Sequence, residues 1–135
     1  MGTGPIALNW LAVVCAAATG FIIGGLWYGP LLGKAWMQAT GITAEAMAKG
    51  NKARTFGLTA LLNVIAAISL AMFIGPQGDW YFGLFAGFMT GVTFVSTALG
   101  VIYLFEMRSL KLWLINAGYQ TVNFTAMGVI LGAWH

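Results

Sequence analysis

Charged side chains are missing from four stretches of the chain, 1–33, 55–78, 80–105 and 112–135. Each is longer than the roughly 20 residues a helix needs to cross the hydrocarbon core of a bilayer. The pattern predicts four membrane spans, about 6–28, 55–75, 80–105 and 112–134, in a single transmembrane domain covering 1–135. The expected fold class is an all-α membrane protein, a bundle of four transmembrane helices.

The polar positions between these stretches predict the connections. Gly29-Pro30 is expected to break the first helix, because proline lacks an N–H and restricts the residue before it. Residues 31–40 mix Leu31, Leu32, Trp36 and Met37 with Lys34 and Gln38. That mixture reads as a short amphipathic segment lying in the interface between helices one and two. Gly41 should end it, and Thr43 should cap a following helix with Glu45 in its first turn. Gly50 and Gly57 weaken the case for an unbroken helix from Ala44 into span two. Gly75-Pro76-Gln77-Gly78 is a tight-turn signal, which makes spans two and three antiparallel neighbours.

Composition agrees with this pattern. Charged residues are 7% of the chain and hydrophobic residues 60%, whereas soluble domains carry about 25% charged residues. The net charge of +3 is not read as a nucleic-acid signal, because the basic residues flank spans. Lys34, Lys49, Lys52 and Arg54 lie in the first connection and Arg108 and Lys111 in the third. The second connection has none. The positive-inside rule then places loops 29–54 and 106–111 in the cytoplasm and both termini outside, as expected of a bacterial inner-membrane protein. The apolar run at the N-terminus lacks a basic leader and continues to Trp27, so it is read as a retained span rather than a signal peptide. Cys15 sits within that run and is read as a packing residue. Asn9-Trp10 resembles Asp79-Trp80, and Lys34-Ala35-Trp36 resembles Lys111-Leu112-Trp113, matches too short to establish a tandem duplication.

Small and polar residues inside the spans supply the candidate chemistry. Gly20 and Gly24, then Gly83, Gly87 and Gly91, then Gly128 and Gly132 are spaced as GxxxG. In lipid such ridges let helix backbones approach closely. They are expected to pack the helices of one subunit, with the alternative that the span-three ridge joins subunits of a homo-oligomer. Asn116, Gln120 and Asn123 fall on one arc of span four, beside Tyr119. Thr90, Thr93 and Thr97 share an arc of span three, and span two offers Asn63 one turn from Thr59. These residues form either polar glue between helices or a seam along a solute path. Trp27, Tyr28, Pro30, Lys34 and Trp36 form an interfacial collar after span one, with Glu106 and Arg108 at the same level after span three. The two collars are expected to meet, Glu106 pairing with Lys34 or Arg108 and Asn116 bonding a helix end.

No catalytic triad, carboxylate pair, metal set or nucleotide fingerprint occurs in the sequence. The reading is therefore not an enzyme, with no cofactor and no metal. The partners expected are the lipid bilayer, further copies of the chain and an unknown small molecule.

Two blocks resemble a known family. Asn9-Trp10-Leu11-Ala12-Val13, Leu26-Trp27-Tyr28-Gly29-Pro30-Leu31 and Gly33-Lys34-Ala35-Trp36-Met37 resemble the opening of the membrane-protein family catalogued as domain of unknown function 1761. The run from Phe105-Glu106-Met107-Arg108 through Trp113 to Asn116-Ala117-Gly118-Tyr119 resembles its closing motif. Family members often have Ser where Gly29 stands. The resemblance implies four predicted spans and carries no activity. The polar stripes incline the functional reading to an oligomeric small-solute transporter or channel. The alternative is a non-transporting module that binds lipid or a partner membrane protein.

Overall fold

The computed structural model describes residues 8–134, and these are helical almost throughout, with no strand among them. Helix α1 spans Trp10–Leu26, and Asn9 caps it by accepting the Ala12 N–H. The helix does not break at Gly29-Pro30. It widens there into a π turn, Trp27–Leu31, closed by Leu32 N–H donating to the Trp27 carbonyl at 2.8 Å. Such widening re-routes the backbone hydrogen bonds around a proline that cannot donate one. The start of the first predicted span, residues 6 and 7, lies outside the described residues, as does His135.

The first connection holds α2 (Gly33–Thr40) and α3 (Ala44–Lys49). Gly41 ends α2 in the left-handed region at φ +76°. Thr43 caps α3 by accepting the Ala46 N–H, and Glu45 lies in its first turn. The chain breaks at Gly50, and Asn51 caps α4 (Lys52–Ile74) by accepting the Arg54 N–H. Asp79 and Ser109 do the same for α5 (Trp80–Met89) and α7 (Leu110–Ala133). Each of these side-chain oxygens satisfies one of the N–H groups that a helix start leaves unpaired. The predicted 80–105 span is one continuous helical rod with a π turn at its centre. It comprises α5, the turn Thr90–Val95 and α6 (Ser96–Phe105). The Gly91 carbonyl accepts both the N–H of Ser96 and its Oγ, the latter at 2.6 Å.

Among the described residues, three helices are long and apolar enough to cross a membrane: Trp10–Leu31, Lys52–Ile74 and Trp80–Phe105. Helix α7 is equally long but more polar, and it is the central one. It packs against α1, α4, α5 and α6. Its closest partner is α5, because glycine faces glycine. A Cβ on Gly83 would lie 2.0 Å from the Gly128 carbonyl oxygen, and one on Gly128 equally close to that of Gly83. Gly87 meets the Phe124 backbone, Gly91 meets Thr121 and Gly132 meets Asp79 in the same manner. The span-three ridge is thus filled within the chain and is not free to join subunits. A core of Ala12, Val13, Ala16, Ala67, Leu70, Met127 and Leu131 fills the bundle toward the α1 N-terminus. The outward faces are apolar too: Phe73, Phe94, Leu104 and Phe105 are each more than two-thirds exposed.

Candidate functional site

The connections divide the molecule into two ends. The end holding α2, α3 and the turn from α6 to α7 carries Lys34, Lys49, Lys52, Arg54, Arg108 and Lys111 and is called the basic end here. Just inside it, indole and phenol groups tie the helices together. Trp27 Nε1 donates to the Ile115 carbonyl at 2.8 Å. The indole can lie that close because Gly118 has no side chain: a Cβ there would be 2.9 Å from the ring. Tyr28 Oη donates to Asn116 Oδ1 at 2.6 Å, and Asn116 Nδ2 donates to Tyr103 Oη at 2.7 Å. Asn116 thus bonds two phenols, one from each half of the collar, rather than the helix end expected from sequence. Tyr28 also sits edge-on to Trp36 and to Tyr119, with ring centroids 5.9 and 5.3 Å apart.

Glu106 pairs with Arg108 at 2.6 Å, and not with Lys34. Both side chains are about half exposed. The Arg108 guanidinium also lies 5.7 Å from the centre of the Tyr103 ring, a cation–π distance. Lys34 and Pro30 are exposed. Tyr103, Trp113 and Ser96 are members of this network that sequence reasoning passed over. Trp113 Nε1 donates to the Ser96 carbonyl at 2.8 Å. The available signal was that polar aromatic groups within an apolar stretch need hydrogen-bond partners.

Deeper in the bundle, α1, α4 and α7 meet at Gly20. A Cβ there would lie 2.9 Å from Asn63 Nδ2 and 3.1 Å from Asn123 Oδ1. Asn123 is 2% exposed. Neither of these two buried atoms has a hydrogen-bond partner among the described residues. Tyr119 Oη donates to the Gly20 carbonyl at 3.0 Å and packs over Gly24. Of the predicted seam, Asn63, Asn116, Tyr119 and Asn123 therefore converge on the α1 side of α7. Gln120 is half-buried and joins none of these bonds. Thr93 and Thr97 are exposed, and with Thr90 they turn their hydroxyls onto carbonyls of their own helix. The π turn puts Gly91 and Ser96, five residues apart, on α7, and Thr93 and Thr97 lie on the far side of the rod.

A cleft of about 390 Å³ runs between α1 and α4 from the basic end to this junction. Its floor is the glycine face of α1, Gly20, Gly24, Gly25 and Gly29. Its walls are Phe21, Tyr28, Tyr119, Phe56, Thr55 and Thr59. Of its lining residues, Phe21, Gly25, Gly29, Thr55 and Phe56 are exposed. At its basic end it adjoins a second hollow of about 670 Å³, which shares Thr55 and Phe56 and adds Trp36, Met37, Ile42, Met47 and Lys52.

The family described as Protein of unknown function (DUF1761) matches residues 11–132. The chain belongs to this family. Neither a curated protein nor a solved structure matches it. The DUF1761 match takes in the collar, the asparagine junction and the cleft alike. Among the described residues no group of three or more His, Cys, Asp or Glu side chains is placed to hold a metal.

Proposed function

We propose that this DUF1761 protein is an integral membrane protein of four spans that binds an amphipathic molecule laterally, in the cleft between α1 and α4. Lipid is the natural surrounding for a bundle whose outer faces carry so many exposed Phe, Leu and Ile side chains. Helix α7 makes the fourth span, because Asn116 is bonded to two neighbouring phenols and Asn123 is buried in the bundle, which keeps both amides from hydrocarbon. The positive-inside rule then puts the basic end in the cytoplasm.

The cleft is the observation that carries the binding reading. Its floor and much of its wall are glycine and phenylalanine, and its few polar groups are the Tyr28 and Tyr119 phenols and the Thr55 and Thr59 hydroxyls of α4. That division fits a ligand with an apolar body and a few polar atoms. Gly25 supplies the test, since it lines the cleft and a Cβ there would touch nothing within 4 Å. Gly25→Leu should fold normally and fill the cleft. Protein taken from its native membrane should carry an extra mass in native mass spectra, and Gly25→Leu should not. An equal mass on both proteins would end the proposal.

Oligomeric transport of a small solute is the second reading. The asparagine junction favours it: two unpaired amide atoms at mid-depth, each costing roughly 1–3 kcal/mol when buried without a partner. Against it, Asn116 is held by two phenols and the threonines bond their own helices, so most of the polar residues serve packing. Solute flux into proteoliposomes that falls with Asn123→Leu, in a variant that still folds, would favour transport over binding.

A further inference from the structure

The cleft and the hollow beside it together describe what kind of amphipathic molecule would fit, an inference that rests on the lateral-binding reading above. We propose that the occupant is an anionic phospholipid of the leaflet at the basic end, with one acyl chain in the α1–α4 cleft and its phosphate beside Lys52.

Length is the first argument. Lys52 lines the outer hollow, and Asn63 lies behind the inner end of the cleft at Gly20. They are eleven residues apart on one helix, about 16 Å at 1.5 Å per residue. Half of a hydrocarbon core about 30 Å thick is about 15 Å. The groove therefore runs from headgroup level to the mid-plane, the reach of one leaflet. A small solute would fill only a part of it.

Charge is the second argument. The first connection carries Lys34, Lys49, Lys52 and Arg54 against one acid, Glu45. Among the described residues the ion pair is Arg108 with Glu106, and none of those four cations joins one. Lys52 is also the first residue of α4, so the positive end of a 23-residue helix adds to its field. Chemistry along the groove is the third argument. Among the described residues that line it, Lys52 is the one cation and stands at its mouth, and the surface beyond it is chiefly aromatic, aliphatic and glycine, with the Thr59 hydroxyl and the Tyr119 phenol farther in. A phospholipid has that order, with the charged phosphate at one end and hydrocarbon beyond it.

The test reconstitutes the full chain in nanodiscs of equal parts phosphatidylglycerol and phosphatidylcholine, followed by native mass spectrometry. The expected result is one retained phosphatidylglycerol per chain, favoured at least fivefold over phosphatidylcholine. Lys52→Ala should abolish the preference, and Gly25→Leu should abolish retention. Equal retention of both lipids, lost in Gly25→Leu, would overturn the anionic headgroup and leave the cleft reading standing. Phosphatidylglycerol that survives Gly25→Leu would show binding to the basic rim alone and overturn both. No lipid in nanodiscs, with an extra non-lipid mass from native membranes, would overturn only the phospholipid. Circular dichroism in the same detergent verifies that both variants are folded.

Discussion

Asn116 bonds across the basic end in two directions. Its amide accepts from Tyr28 on one side and donates to Tyr103 on the other. It therefore ties the π turn after α1 and helix α6 to α7. Interhelical hydrogen bonds in membranes contribute about 0.6–2 kcal/mol each. Asn116→Ala removes two and is expected to lower the detergent melting temperature by several degrees. Tyr28→Phe and Tyr103→Phe should each reproduce part of that loss. The Glu106–Arg108 pair lies in the same region but is about half exposed, and exposed pairs contribute about 0.2–1 kcal/mol. Glu106→Gln should shift the same melting curve much less than Asn116→Ala, and a larger shift would show that the carboxylate has a second partner.

At the scale of elements, the glycines divide into two sets that behave differently. Between α5 and α7 the backbones touch, and a Cβ on Gly83 would fall 2.0 Å from a carbonyl oxygen. The helices must separate to admit it. Overpacking of this kind costs about 1–3 kcal/mol or more, so Gly83→Ala should unfold the protein in mild detergent at markedly lower temperature. Gly57 is also helical, on α4, but nothing lies within 4 Å of where its Cβ would be. Gly57→Ala should be neutral or stabilising by up to about 1 kcal/mol, the ordinary helix-propensity difference. Thermal unfolding of the two variants side by side checks both expectations. GxxxG spacing alone does not tell which glycines are packed: Gly25 and Gly29 share it with Gly83 and Gly87, yet nothing lies within 4 Å of where their Cβ atoms would be.

For the whole molecule, the question is how often the chain crosses the membrane. Among the described residues, three helices meet the length and apolarity of a lone span, and α7 does not. A helix surrounded by others has no need to meet it. If α7 crosses, the α4–α5 turn and the end of α7 share one side, and α3 lies on the other. In a Cys15→Ser background, Gln77→Cys and Trp134→Cys should react with a membrane-impermeant thiol reagent from one face, and Glu45→Cys only from the opposite face. Trp134→Cys labelling together with Glu45→Cys would mean that α7 does not cross.

The helical class, the turns and the caps were legible locally. Thr43 and Gly41 act where their chemistry predicts, since capping and left-handed backbone involve only a few adjacent residues. The absence of charge over 55–78 and 80–105 likewise marked two membrane-length helices, because transfer into lipid is a sum over one segment. The π turns at Trp27–Leu31 and Thr90–Val95 were not legible. They depend on which backbone groups find partners across the bundle, and each rotates the residues beyond it. That rotation carries Thr97 outward and points Ser96 at α7. The pairing of Asn116 with Tyr28 and Tyr103, residues 88 and 13 positions away, is likewise a matter of tertiary structure. A hydrogen bond in lipid is local in space, and only helix packing decides which distant side chains share that space.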